Sequence, residues 1–255
     1  MIVIFLVLFT IAFICEYAAA TLGMGYGTTL APILLIAGYA PLVLVPVILF
    51  SQFFAGFIAA AFHHKFENMD LKKKEERTAF YIFALTGIVG VIVSILVSIS
   101  LPSLFVKVYI ALTVTIVGIL TLIDGDRQFS FSQKKLVGMG IVAAFNKGMS
   151  GGGYGPITTA GQMICGISPR AAVAITALVE GIICIIGVIL YYLLAAPVDL
   201  LLLISITAGG IVAAPLSAFT TKKLEQESVK KLVAVSIILI GLLSLFLVIL
   251  NPSGA

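Results

Sequence analysis

The chain has 255 residues, of which 61% are hydrophobic and 10% charged, with a net charge of +4. Soluble domains carry about 45–50% apolar and about 25% charged residues, so too little charge is present to cover a water-facing surface, and a soluble globular enzyme is excluded. Mean hydropathy is +1.24. At about 20 apolar residues per crossing, the length holds roughly eight to ten membrane segments and no separate soluble domain.

The elements are bounded by charges, glycines and prolines. Residues 1–20 are apolar and lack the basic start of a signal peptide, so 2–22 reads as a retained first helix. A short helix follows at 28–38, then long ones at 41–63, 78–100 and 103–123. The second series runs 135–148, a short 155–166, then 169–194, 199–221 and 228–250. Apolar segments of about 10–14 residues re-enter or stay buried rather than span, so 28–38 and 155–166 are expected to be half-helices.

The two series echo each other. Gly23-Met24-Gly25-Tyr26-Gly27 returns as Gly151-Gly152-Gly153-Tyr154-Gly155, and Ala40-Pro41 returns as Ser168-Pro169. The run Leu101 to Lys107 returns as Leu224 to Lys230, with Gly118 and Gly241 then in step. Such internal similarity marks a repeat. The chain divides into a first transmembrane repeat at 1–123, a cytoplasmic linker at 124–134 and a second repeat at 135–255.

Basic residues collect in cytoplasmic loops. They gather at 64–77 (Lys65, Lys72, Lys73, Lys74, Arg77), in the linker (Arg127, Lys134, Lys135) and at Lys222, Lys223, Lys230 and Lys231. The loop at 195–199, counterpart of 64–77, carries none. Equivalent loops therefore fall on opposite sides, and both termini are expected outside. The expected fold is an all-α polytopic membrane protein of two inverted repeats, each a broken re-entrant helix pair plus three long transmembrane helices. Sites in such folds lie at the repeat interface near the midplane.

The glycine pentads carry the strongest chemical signal. A chain broken at mid-depth frees backbone N–H groups, and a helix beginning there points its positive dipole end at them. Glycines also form anion-cradling nests. Gly23, Met24, Gly25, Tyr26 and Gly27 and Gly151, Gly152, Gly153, Tyr154 and Gly155 are thus candidates to bind an anion. The competing reading is close helix packing through small residues. No Lys-Ser/Thr follows the last glycine and no strand precedes it, so neither a nucleotide-binding P-loop nor a dinucleotide fingerprint is present.

Intramembrane ionisable groups are costly and read first as functional. Lys147, beside Asn146, is placed to supply one full positive charge, unless it snorkels to an interface. Gln52 and Glu180 each lie eleven residues after the proline opening their helix, which suggests a shared site lining. Glu180 and Glu16 are the proton-coupling candidates, with Glu180 pairing Lys147 as the alternative role. Tyr26 and Tyr154 either donate hydroxyls to an oxyanion or pack with the hydroxyl satisfied. His63, His64 and Arg170 read as interfacial. Cys15, Cys165 and Cys184 read as small buried apolar residues. No metal site and no cofactor are expected, because no histidine–carboxylate cluster has ligand spacing. Nucleic acid is not expected either, since no basic stripe is interleaved with aromatics.

The run Leu22-Gly23-Met24-Gly25-Tyr26-Gly27-Thr28-Thr29-Leu30-Ala31-Pro32, with its partner Gly151-Gly152-Gly153-Tyr154-Gly155-Pro156, resembles the sulfite exporter TauE/SafE family over nearly the whole chain. The resemblance implies a multipass plasma-membrane protein that moves sulfur-containing anions such as sulfite, sulfonates or thiosulfate, often outward. Two features depart from symmetry and from some thiosulfate carriers: Met24 stands where the second motif has Gly152, and no extra cysteine pattern is present. The expected partners are the lipid bilayer and a small inorganic or organosulfur anion, with a homodimer left open. An anion-selective channel with two re-entrant half-helices is the alternative, although the Asn-Pro-Ala signature of water channels is absent at both breaks. No serine–histidine arrangement supports an intramembrane enzyme.

Overall fold

The computed structural model describes residues 2–123, 131–194, 196–223 and 227–250. Among them are ten helices: α1 Ile2–Leu22, α2 Gly27–Ile36, α3 Pro41–Lys65, α4 Lys74–Ser100, α5 Ser103–Ile123, α6 Gln133–Ser150, α7 Tyr154–Ile164, α8 Pro169–Leu193, α9 Leu200–Lys223 and α10 Glu227–Leu250. The architecture is all-α, and six of these helices are long and apolar enough to cross a membrane. Most of the expected 124–134 linker, with Arg127, lies outside the described residues, as do Leu224, Glu225 and Gln226.

Local chemistry sets the boundaries, and it does so twice. α3 and α8 open on Pro41 and Pro169, where the missing N–H leaves no bond unmade. Ser168 also caps α8 by accepting from the Ala171 amide. α2 and α7 end on left-handed glycines, Gly38 (φ 92°) and Gly166 (φ 85°). Each end closes with the same pair of bonds: Gly38 to Leu35 and Tyr39 to Leu34, Gly166 to Met163 and Ile167 to Gln162. That is the Schellman pattern, which occupies carbonyls the helix end would otherwise leave unpaired.

One expectation is corrected. α4 begins at Lys74 rather than Thr78. The charged stretch Lys74-Glu75-Glu76-Arg77 forms its first turn, with Glu75 and Glu76 at the positive end of the helix dipole. Hydropathy marks where a helix enters apolar surroundings, and the helix itself runs further. His63 stands in the last turn of α3, beside Lys65. It is fully buried, and Asn68 Nδ2 bonds its Nδ1 at 2.8 Å.

Helix directions follow from the pairs in contact. α1, α3 and α9 run parallel. Tyr17 meets Thr220 and Thr221 bonds the Thr21 carbonyl, while Ser51 bonds Ile206 and Asn68 bonds Ala218. α4, α6 and α8 also run parallel: Gly140, Gly148 and Gly87 pack on Thr86, Ser94 and Ile183, and Tyr191 bonds Ser98 at 3.2 Å. α3 and α8 run antiparallel, since Gly56 packs on Ala177 and Gly181 while Gly187 packs on Leu49. The two sets therefore oppose each other.

This arrangement sorts the charges. Lys65, Lys73, Lys74, Arg77, Lys134, Lys135, Arg170, Lys222 and Lys223 all stand at one end, where α3 and α9 finish and α4, α6 and α8 start. At the other end Asp199 caps α9 by accepting from the Leu202 amide at 2.9 Å. Tyr39 lies near it. Partial burial, and then the Asp199 carboxylate, hold its phenol above the ordinary range.

Candidate functional site

The two glycine breaks cross each other at backbone contact. A Cβ on Gly27 would run into the Gly151 carbonyl, and one on Gly152 would stand 2.6 Å from the Thr28 nitrogen. One on Gly155 would strike the Met24–Gly25 peptide. Four residues of the breaks are left-handed: Gly23 (φ 70°), Gly25 (φ 63°), Gly151 (φ 71°) and Gly153 (φ 74°). Close approach thus explains much of the glycine content. Several amides at the crossing are engaged within the protein. Met24 bonds Ala19, Gly151 bonds Lys147, Gly152 bonds Ser150 Oγ and Gly153 bonds Thr28 Oγ1.

Lys147, near the end of α6, is fully buried beside this crossing. Its ammonium donates to Gln52 Oε1 on α3 and, at 3.0 Å, to Glu180 Oε1 on α8. Gln52 and Glu180 therefore meet on one cation, as their equal spacing from Pro41 and Pro169 suggested. Gly25 lets this happen, because a Cβ there would stand 2.7 Å from Glu180 Oε1. Desolvating such a pair costs several kcal/mol per ion, so the pair is weak evidence for stability and good evidence for a site.

A cavity of about 20 Å³ opens against the pair, lined by Glu16, Gln52, Thr176, Glu180, Gly23 and Gly25, among others. A polar space of this size holds about one water molecule. Glu16, on α1, is 4% exposed. The cavity wall thus carries two carboxylates, and the ammonium stands directly behind one of them.

The remaining candidates are dispersed. Asn146 turns away from the cavity and accepts from the Tyr109 hydroxyl on α5. Tyr154 is buried and donates to the Phe83 carbonyl at 3.3 Å. The Tyr26 hydroxyl is buried without a hydrogen-bond partner among the described residues, beside Ser51. Met24 is buried in the apolar core.

Sequence reading missed the rest of the lining: Ala20, Gly56, Ala59, Val173, Thr176 and Ala177. The signal was present. Ala20 follows Glu16 by four residues, Gly56 and Ala59 follow Gln52 by four and seven, and Ala177, Thr176 and Val173 precede Glu180 by three, four and seven. Those spacings share one helix face. Cys184, one turn after Glu180, packs beside Lys147, so its apolar reading omits a polar neighbour.

Among the described residues, an all-helical fold with six membrane-length helices and a buried ion pair where two helix breaks cross is that of a multipass membrane protein. Residues 8–244 match the family model described as Sulfite exporter TauE/SafE, and the chain belongs to that family. It is also 28% identical over 243 residues to the probable membrane transporter protein YtnM of Bacillus subtilis (strain 168), an alignment covering 91% of this chain and 79% of the relative.

Proposed function

We propose that the chain is a secondary transporter exporting a small anion, sulfite or an organosulfur anion such as a sulfonate, across the plasma membrane. It works by alternating access between two inverted repeats. The observation that carries this reading is Lys147, a fully buried cation at the crossing of the breaks, bonded to Gln52 and Glu180, which line a cavity. The family description supports sulfite as the first substrate to try. The opposed helix directions support the inverted repeat, and the basic end of the bundle is assigned to the cytoplasm, which leaves both termini outside.

In this reading Lys147 and Gln52 bind the anion, and the glycine breaks shape the space around it. Glu180 holds the ammonium until the anion arrives. Glu16 and Glu180 line the way in and are the proposed proton-coupling groups, required where the anion is moved inward, against the potential, and not for export as a uniporter. Outward movement of negative charge is favoured by about 2.3 kcal/mol per 100 mV of inside-negative potential, which supports export. An anion-selective channel is the weaker reading, because the Asn-Pro-Ala signature of channels with two re-entrant half-helices is absent at both breaks.

Charge movement in proteoliposomes after a jump in external sulfite, with chloride and sulfate jumps as controls, tests the proposal. A saturable, sulfite-specific current is expected. Current with another organosulfur anion alone would change the substrate and keep the mechanism. No response to any of them, in vesicles of folded protein under both voltage and pH gradients, would sink it.

A further inference from the structure

The repeat allows each residue near the site to be compared with its counterpart in the other half. One constant sequence offset relates Gly23 to Gly151, Gly25 to Gly153, Gly38 to Gly166, Pro41 to Pro169 and Gln52 to Glu180. Under the same offset Thr176 on α8 corresponds to Ile48 on α3. Thr158 and Gln162 on α7 correspond to Leu30 and Leu34 on α2. The backbones match, and the chemistry does not.

On the second-half side the positions are polar and bonded together. Thr176 lines the cavity. Its hydroxyl is held by Thr158 (3.2 Å), Thr159 (3.1 Å) and Gln162 (3.0 Å), and Thr159 also donates to the Gly23 carbonyl at 2.8 Å. The cavity follows this side. Along α3 its lining runs from Gln52 to Ala59, toward Lys65, and along α8 from Glu180 to Val173, toward Arg170. It therefore extends from the ion pair toward the basic end.

On the first-half side the counterparts are apolar and sealed. Leu30 and Ile48 are fully buried and Leu34 is 1% exposed, all within one continuous apolar cluster. The place equivalent to Glu16 is held by Ala144, and that equivalent to Ala20 by Gly148, whose missing Cβ lets Ser94 and the Val91 carbonyl close in. Packing against α4 fills the space where a second cavity would lie.

We propose that Thr176, backed by Thr158, Thr159 and Gln162, lines the access route from the basic end to Lys147, and that Leu30, Leu34 and Ile48 form the closed barrier toward the opposite end. A polar wall keeps a route wettable, whereas an apolar constriction excludes ions by dewetting. The two half-routes open in turn as the repeats rock about the fixed site. This inference rests on the transport reading for its purpose, and its test needs no substrate.

Ala177→Cys reports the open route, because Ala177 lines the cavity and is partly exposed. Ile48→Cys reports the barrier, with Leu34→Cys as a second reporter should Ile48→Cys misfold. Each full-length variant is treated with a small, membrane-impermeant cationic methanethiosulfonate in vesicles of both orientations. Labelling is read peptide by peptide by mass spectrometry, so the native cysteines remain in place. Ala177→Cys is expected to label from the basic face, and Ile48→Cys about tenfold more slowly or less from either face, as a minor state populated at 10% or below requires. Labelling of the barrier cysteine at a comparable rate, or of Ala177→Cys only from the opposite face, would overturn the proposal. Failure of sulfite transport alongside the expected labelling would instead remove the substrate reading and leave the route standing.

Discussion

At the scale of residues, Lys147 serves as a structural partner and as the proposed anion ligand, and the two roles separate by mutation. Removing one member of a buried pair leaves the other charge uncompensated, at a cost of about 3–5 kcal/mol. Lys147→Ala orphans Glu180 and removes the donor to Gln52, so a loss of transport in that variant is ambiguous. The double variant Lys147→Gln/Glu180→Gln replaces the ion pair with neutral groups of similar reach. Thermal unfolding in detergent is expected to show a large loss for Lys147→Ala and substantial recovery for the double variant. Transport is expected to be lost in both. Transport at the wild-type rate in a well-folded double variant would show that the ammonium is not the anion ligand.

At the scale of elements, the short helices are placed by two kinds of glycine. Gly27, Gly152 and Gly155 are needed because backbones touch, whereas Gly38 and Gly166 are needed only for their positive φ and have no neighbour where a Cβ would go. Gly166→Ala is therefore expected to cost about 1–2 kcal/mol of left-handed strain. Gly27→Ala, which adds no such strain, is expected to cost more, because its Cβ enters the Gly151 carbonyl and forces α2 and α7 apart. Unfolding temperatures of the two variants in the same detergent give the comparison, and equal shifts would show that the breaks do not touch. The element map was legible in the sequence for the same reason: glycine and proline punctuate apolar runs, and both halves repeat the punctuation. The start of α4 was less legible because a helix outside apolar surroundings leaves no hydropathy signal. Gln52 and Glu180 could be paired by register, and Asn146 could not be separated from Lys147. Adjacent helix residues point about 100° apart, and only packing reveals which one faces the cavity.

At the scale of the whole molecule, the opposed helix sets turn a pattern of loop charges into a statement about sides. The basic residues of α3, α4, α6, α8 and α9 stand together at one end, while Asp199 and Tyr39 mark the other. Basic residues near a membrane resist translocation, so the basic end is expected in the cytoplasm. The order of helices carries a second expectation. α3 runs toward the basic end and α8 away from it, so residues 66–73, after α3, and 196–199, before α9, must lie on opposite faces whichever end is inside. A protease-cleavable tag inserted after Lys72 of the full chain, and separately after Val198, reads both expectations in intact cells. The tag after Val198 is expected to be cut by external protease, and the tag after Lys72 only after the membrane is opened. The reverse pattern would invert the assignment of sides, and with it the outward direction of export, while leaving the helix packing untouched. Cleavage of both tags from outside in intact cells would contradict the opposed helix directions themselves, and no transport cycle built on two inverted halves would survive it.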